Sequence, residues 1–73
     1  MMLYAEKLRE LRTDHDKSQK QIAELLGTTQ TYYAKYENGK HPLPLKHLIT
    51  LCEYYQVSAD YILGLPKGLN WPR

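Results

Sequence analysis

The sequence predicts an all-α domain of five short helices, and three observations point there. Apolar residues recur at i, i+3 and i+4 in four separate stretches of the 73 residues. Ser18, Thr29 and Ser58 stand where helices would start, and Gly27, Gly39 and Gly64 where helices would stop. The chain has no internal repeat or low-complexity segment, and its length allows one domain with a minimal core.

The first helix is expected over about 3–15, with Tyr4, Ala5, Leu8 and Leu11 inward and Glu6, Lys7, Arg9 and Glu10 as a solvated face. A polar run, 13–17, leads to the second helix, over 19–26. Ser18 and Gln21 form an S-x-x-Q capping box at its start, and Ile22, Ala23 and Leu26 share one side. Gly27 ends it, and Thr29 caps a third helix reaching to about Asn38. A turn of about three residues forces the two helices to cross steeply, as in a helix-turn-helix unit. Ala23 suits that crossing because close approach needs a small side chain.

Loop 38–44 follows, with Gly39 as a helix cap and Pro42 and Pro44 as stiffeners; Pro44 suits the first turn of the fourth helix. Leu45, Leu48, Ile49, Cys52 and Tyr55 give that helix an apolar stripe. Ser58 caps a short fifth helix with Asp60 in its first turn, ending near Leu63. The helical domain thus occupies 1–64 and a tail without helical period occupies 65–73.

At about 100° per residue, Tyr33 and Tyr36 of the third helix face inward onto Ile22 and Leu26. Thr31, Lys35 and Asn38 fall on the opposite side, flanked by Gln30 and Tyr32, so the outer surface is short, polar, positive and free of acid. Glu37 lies nearer the packed face, where a carboxylate needs a partner, and Arg12 is expected to pair with it.

Taken together, Leu8-Arg9-Glu10-Leu11-Arg12, Ser18-Gln19, Ile22-Ala23, Leu26-Gly27, Glu37-Asn38-Gly39-Lys40, and Val57-Ser58 with Asp60, Ile62, Leu63 and Gly64 form a specific pattern in order and spacing. The chain resembles the Cro/CI-type (XRE-like) helix-turn-helix family of regulators related to lambdoid-phage repressors, from Leu8 to Gly64. The resemblance implies a five-helix, lambda-repressor-like DNA-binding domain whose third helix reads bases. The matching base-reading positions are Gln30 and Thr31, with Lys35 one turn later; Tyr32 stands where a small hydroxyl or aliphatic residue is common. The matching phosphate-binding positions are Gln19, Asn38, Lys40 and His41. Arg12 and Glu37 are expected as a scaffold ion pair, with Arg12 also within reach of a phosphate.

The chemistry agrees with those assignments. Gln can bond adenine N6 and N7, Lys can donate to guanine O6 and N7, and the Thr methyl can lie against a thymine methyl. Tyr32 can place its ring on a thymine methyl or its hydroxyl on a phosphate. Free N–H groups at the amino end of the second helix, beside Gln19, favour an anion. The net charge is only +2. It is uneven, however: residues 1–16 hold three basic and four acidic side chains, 17–47 hold five lysines against Glu24 and Glu37, and the rest balances. The excess coincides with the helix-turn-helix, where His41 and His47 can add charge at lower pH.

Other classes fare worse. The single Cys52 cannot form an intrachain disulfide, fits a reducing compartment and reads as a small core residue. The N-terminal stretch carries charges too early for a signal peptide, and no run approaches the roughly 20 apolar residues of a membrane span. A cytoplasmic protein without membrane contact is therefore expected. His15, His41 and His47 lack metal-ligand spacing, and there is no Ser/His/Asp set or glycine-rich phosphate loop, so neither enzyme, metal nor cofactor is expected.

One recognition helix reads about four base pairs, so the double-stranded DNA partner is expected to be a palindromic operator bound by a homodimer. Its apolar contact would come from Tyr61, Leu65 and Trp71. A transcriptional regulator, most simply a repressor, is the leading reading. An antitoxin or other protein-interaction module of the same fold, binding a toxin or antirepressor, is the rival. No effector domain is expected after the bundle.

Overall fold

A computed structural model of the chain describes residues 4–65. Within them the chain forms α1 (Tyr4–Asp14), α2 (Gln19–Leu26), α3 (Gln30–Glu37), α4 (Leu45–Tyr55) and α5 (Ala59–Leu63), with no strand among the described residues. α3 packs against α2 and α1, and α5 against α1 and α4. Leu8, Ile22, Tyr33, Leu51 and Ile62 meet at the centre, shut off from solvent. Each such side chain contributes about 1.5–3 kcal/mol by leaving water.

The helix ends follow local chemistry. Ser18 Oγ accepts the Gln21 N–H at 3.1 Å while Gln21 Oε1 accepts the Ser18 N–H at 2.8 Å, closing the capping box of α2. Thr29 and Ser58 accept N–H bonds from Tyr32 and Tyr61 and start α3 and α5 in the same way. At Gly27 the backbone takes φ +73°, a left-handed conformation open to glycine. Gly27 N–H and Thr28 N–H then bond back to Glu24 and Ala23 carbonyls, which ends α2 and turns the chain directly into α3.

Four expectations change. The stripe predicted for α4 is rotated: Leu45 is 70% and Ile49 52% exposed, while His47, Leu51 and Tyr55 are buried and Leu48 and Cys52 half-buried. Apolar residues lie on three sides of this helix, so period alone cannot select the docked side; contacts with α5 and Tyr36 do. His47 is therefore no reserve of surface charge, because its ring lies edge-on to Tyr36 at 6.0 Å. Pro44 sits one place upstream of expectation, as the residue preceding α4, its carbonyl accepting from His47 and Leu48. Finally, the outer face of α1 is not all solvated. Lys7 is half-buried with Nζ 4.4 Å from the centre of the Tyr61 ring, and Arg9 leans toward α3.

Candidate nucleic-acid interface

Short side chains decide how closely α2 and α3 approach. Ile22, Ala23 and Leu26 meet Tyr33 and Tyr36 in the core cluster, which turns the opposite side of α3 outward. That side borders a shallow groove lined by Gln30, Thr31, Ala34, Lys35 and Asn38 of α3 and its cap, with Gln19 from α2 on one side and Lys40 from the following loop on the other. Six residues singled out in the sequence thus lie around one concavity, which is positive and free of acid. Tyr32 and His41 do not line it. They pair with each other at its flank, ring centroids 5.3 Å apart and planes 11° from parallel.

Beneath the groove an ion cluster ties α3 to the rest of the fold. The Glu37 side chain has no exposed surface, and Arg12 donates to both of its oxygens, Nε to Oε2 at 2.7 Å and Nη2 to Oε1 at 3.1 Å. Arg12 Nη1 donates to the Lys17 carbonyl at 3.0 Å, so one guanidinium joins α1, the loop before α2, and α3. Three of the five guanidinium N–H groups of Arg12 thus donate inside the fold. Gln19 Nε2 adds a third hydrogen bond to Glu37, 3.2 Å from Oε1. The amide at the amino end of α2 is thereby aimed at the end of α3.

Two contributors were overlooked by sequence reasoning. Arg9 sits one turn before Arg12; its Nε is 3.8 Å from Glu37 Oε1 and its Nη2 donates to Asn38 Oδ1 at 3.4 Å, on a side chain 58% exposed. The spacing of three residues to Arg12 was the available signal. Ala34, four residues after Gln30, forms part of the groove, and helical period would have found it. Among the described residues no three His, Cys, Asp or Glu side chains are grouped to hold a metal ion. No helix among them is long and apolar enough to cross a membrane.

Two buried groups make the fold sensitive to acid. Burial alone would raise the Glu37 carboxyl, but hydrogen bonds from Arg12 and Gln19, with the Tyr33 hydroxyl nearby, prevail and hold it below its ordinary value. Burial, with Lys46 next to it, pushes His47 below its ordinary 6.5. In both cases the unfolded chain takes up the proton first, so stability is full above the unfolded value and is lost as pH falls. The loss begins near 6.5 for His47 and continues, for Glu37, below its ordinary 4.5. Urea midpoints taken at decreasing pH should fall monotonically across this range. A midpoint that holds constant from neutrality to about pH 5 would contradict the His47 assignment, and one that holds constant from there to about pH 3 would contradict that of Glu37.

The geometry is that of known proteins. Residues 8–62 match the family described as helix-turn-helix. An uncharacterised HTH-type transcriptional regulator of Bacillus subtilis, YobD, is 41% identical over 63 residues, 86% of this chain and 56% of that protein. This chain therefore spans about half the length of that relative. A transcriptional regulator from Listeria innocua superposes with a TM-score of 0.83 at 31% identity, over 96% of this chain and 64% of that one. The P22 c2 repressor protein, in complex with a synthetic operator, shares the fold with a TM-score of 0.78 at 22% identity, over 86% of this chain and 96% of that one. With its capped α2, its glycine turn and the outward face of α3, the chain belongs to the Cro/CI-type (XRE-like) helix-turn-helix family.

Proposed function

We propose that this chain is a sequence-specific DNA-binding transcriptional regulator, most simply a repressor, that reads the major groove with α3 as a cytoplasmic homodimer. The observation that carries this reading is the single polar, acid-free groove on the outer side of α3. The B-DNA major groove, roughly 12 Å wide, admits a helix presenting such a face. Gln30, Thr31 and Lys35, with Tyr32 beside them, then meet base edges. Lys40, Asn38 and the amino end of α2 with Gln19 meet the phosphates on either side. The relatives in Bacillus and Listeria, both described as transcriptional regulators, support the same reading.

Two such helices in successive major grooves, roughly 34 Å apart, read a palindromic operator. Tyr61 and Leu65 are exposed at the end of the chain's described part and provide apolar material for the dimer contact; Trp71 lies outside the described residues. Selection of random duplex DNA by the purified protein, with sedimentation of the free protein and titration of the winners at several salt concentrations, tests the whole reading. A palindromic winner with half-sites about 10 base pairs apart and a two-chain sedimentation mass are expected. Uniform, salt-sensitive binding without a winner would instead favour a protein-interaction module such as an antitoxin.

Contact classes separate by substitution. Gln30→Ala should cost roughly 1–3 kcal/mol at one base pair and relax preference there. Equal weakening of every sequence would remove Gln30 from the base readers. Lys40→Ala should weaken all sequences alike and flatten the plot of log affinity against log salt by about one unit, as expected for one lost phosphate contact. An unchanged slope would place Lys40 away from the backbone.

A further inference from the structure

Tyr32 is 45% exposed on the outer side of a short helix, and a large aromatic side chain in such a place ordinarily changes rotamer freely. Three groups restrain it here. The His41 imidazole stacks on one face of its ring, 5.3 Å between centroids and 11° from parallel. Buried Tyr36 meets the ring edge-on, at 5.6 Å and 75°. Lys35 Nζ stands 5.8 Å from the ring centre, and Lys35 itself lines the groove.

The backbone brings His41 to this position. Gly39 takes φ +73° and its N–H bonds to the Tyr36 carbonyl at 3.2 Å. The N–H groups of Lys40 and His41 then both reach the Lys35 carbonyl, at 2.9 and 3.3 Å, so the chain doubles back along the last turn of α3. The Tyr4 hydroxyl accepts the Leu43 N–H at 3.1 Å and anchors the far side of the loop to α1. His41 is thus set by the fold, half-buried, with the face of its ring committed to Tyr32.

We propose that His41 is a positioning residue for base reading, whose ring holds Tyr32, and through it the neighbouring Lys35, in the orientation that meets the base pairs. The inference rests on α3 being the recognition helix, and it differs from a phosphate contact in what it predicts. A phosphate contact supplies charge and acts on every sequence alike. A stacking partner supplies shape and acts only where Tyr32 and Lys35 read.

The test uses the full chain, the duplex selected from a random pool by the wild type, and that duplex's single-base-pair variants. Loss of the stack in His41→Ala should reduce preference at one or two base pairs by about two- to tenfold, with the salt slope unchanged. His41→Phe, which keeps a stacking ring without charge, should retain the preference; His41→Lys, which supplies charge without the ring, should not. In a Tyr32→Ala background, His41→Ala should add nothing. In the free protein, the ring-current shift of the Tyr32 ring protons should lose the contribution of the stacked ring in His41→Ala, leaving that of Tyr36, and keep it in His41→Phe.

A flattened salt slope with uniform weakening in His41→Ala, or failure of His41→Phe to rescue, overturns the proposal and leaves the DNA-reading function standing. A wild type that selects no sequence overturns both.

Discussion

Arg12→Leu lowers the stability of this domain by about 3–5 kcal/mol, the effect of stripping a buried carboxylate of its charged partner. Glu37 has no exposed side-chain surface, and two of its three hydrogen bonds come from Arg12. Gln19 alone cannot neutralise it, and Arg9, 3.8 Å away on an exposed side chain, compensates only in part. A chain of 73 residues has a total stability of about 4–11 kcal/mol, so such a loss leaves little of the folded population. Urea melts at pH 7 check the magnitude.

Two controls identify the cause as the orphaned charge. The double variant Arg12→Leu/Glu37→Leu should recover much of the loss, because replacing a buried pair with apolar side chains of similar size is often close to neutral. The gap between Arg12→Leu and wild type should also narrow as pH falls, since burial then outweighs what Gln19 and Arg9 supply and Glu37 takes up a proton more readily in the folded variant. If Arg12→Leu melts like the wild type at pH 7, the cluster does not hold α3 in place. The functional consequence is direct, because this pair fixes α3, and with it the groove, to α1.

Tyr33→Ala should cost about as much, 3–5 kcal/mol, for a different reason. Tyr33 is wholly shut off from solvent and lies where α3 meets the other helices, so truncation leaves a ring-sized cavity beneath α3. Tyr33→Phe isolates the hydroxyl. That hydroxyl is buried near Glu37, and burial, reinforced by the carboxylate, pushes its pKa well up; it closes no hydrogen bond among the described residues. Removing a buried polar group that lacks a partner changes stability little, so Tyr33→Phe should remain within about 1 kcal/mol of wild type. Thermal melts of both variants distinguish packing from polarity: a Phe variant as unstable as the Ala variant would show that the hydroxyl, rather than the ring, holds the helix.

The helix boundaries were legible in the sequence because caps act over three to five residues. Ser18 and Gln21 bond each other, Gly27 and Gly64 turn their helices off, and Thr29 and Ser58 start the next ones, whatever the rest of the fold does. The outward placement of Thr31, Lys35 and Asn38 was legible too, since helical period assigns the opposite side once Tyr33 and Tyr36 are inside. That Glu37 would need a partner followed from the rule that a carboxylate on a packed face must be matched, and Arg12, expected there, supplies it.

Tertiary structure alone decided the rest. Which side of α4 docks depends on surfaces supplied by α3 and α5, so Leu45 and Ile49 stay outside while His47 goes in. Gln19 reaches Glu37 across 18 positions, and Arg9 reaches Asn38 across 29. The stack of His41 on Tyr32 depends on a loop folding back over its own helix. Local bonding along the chain determines where helices begin and end; the orientation of a side chain toward a distant element is set by packing between surfaces that no single stretch contains.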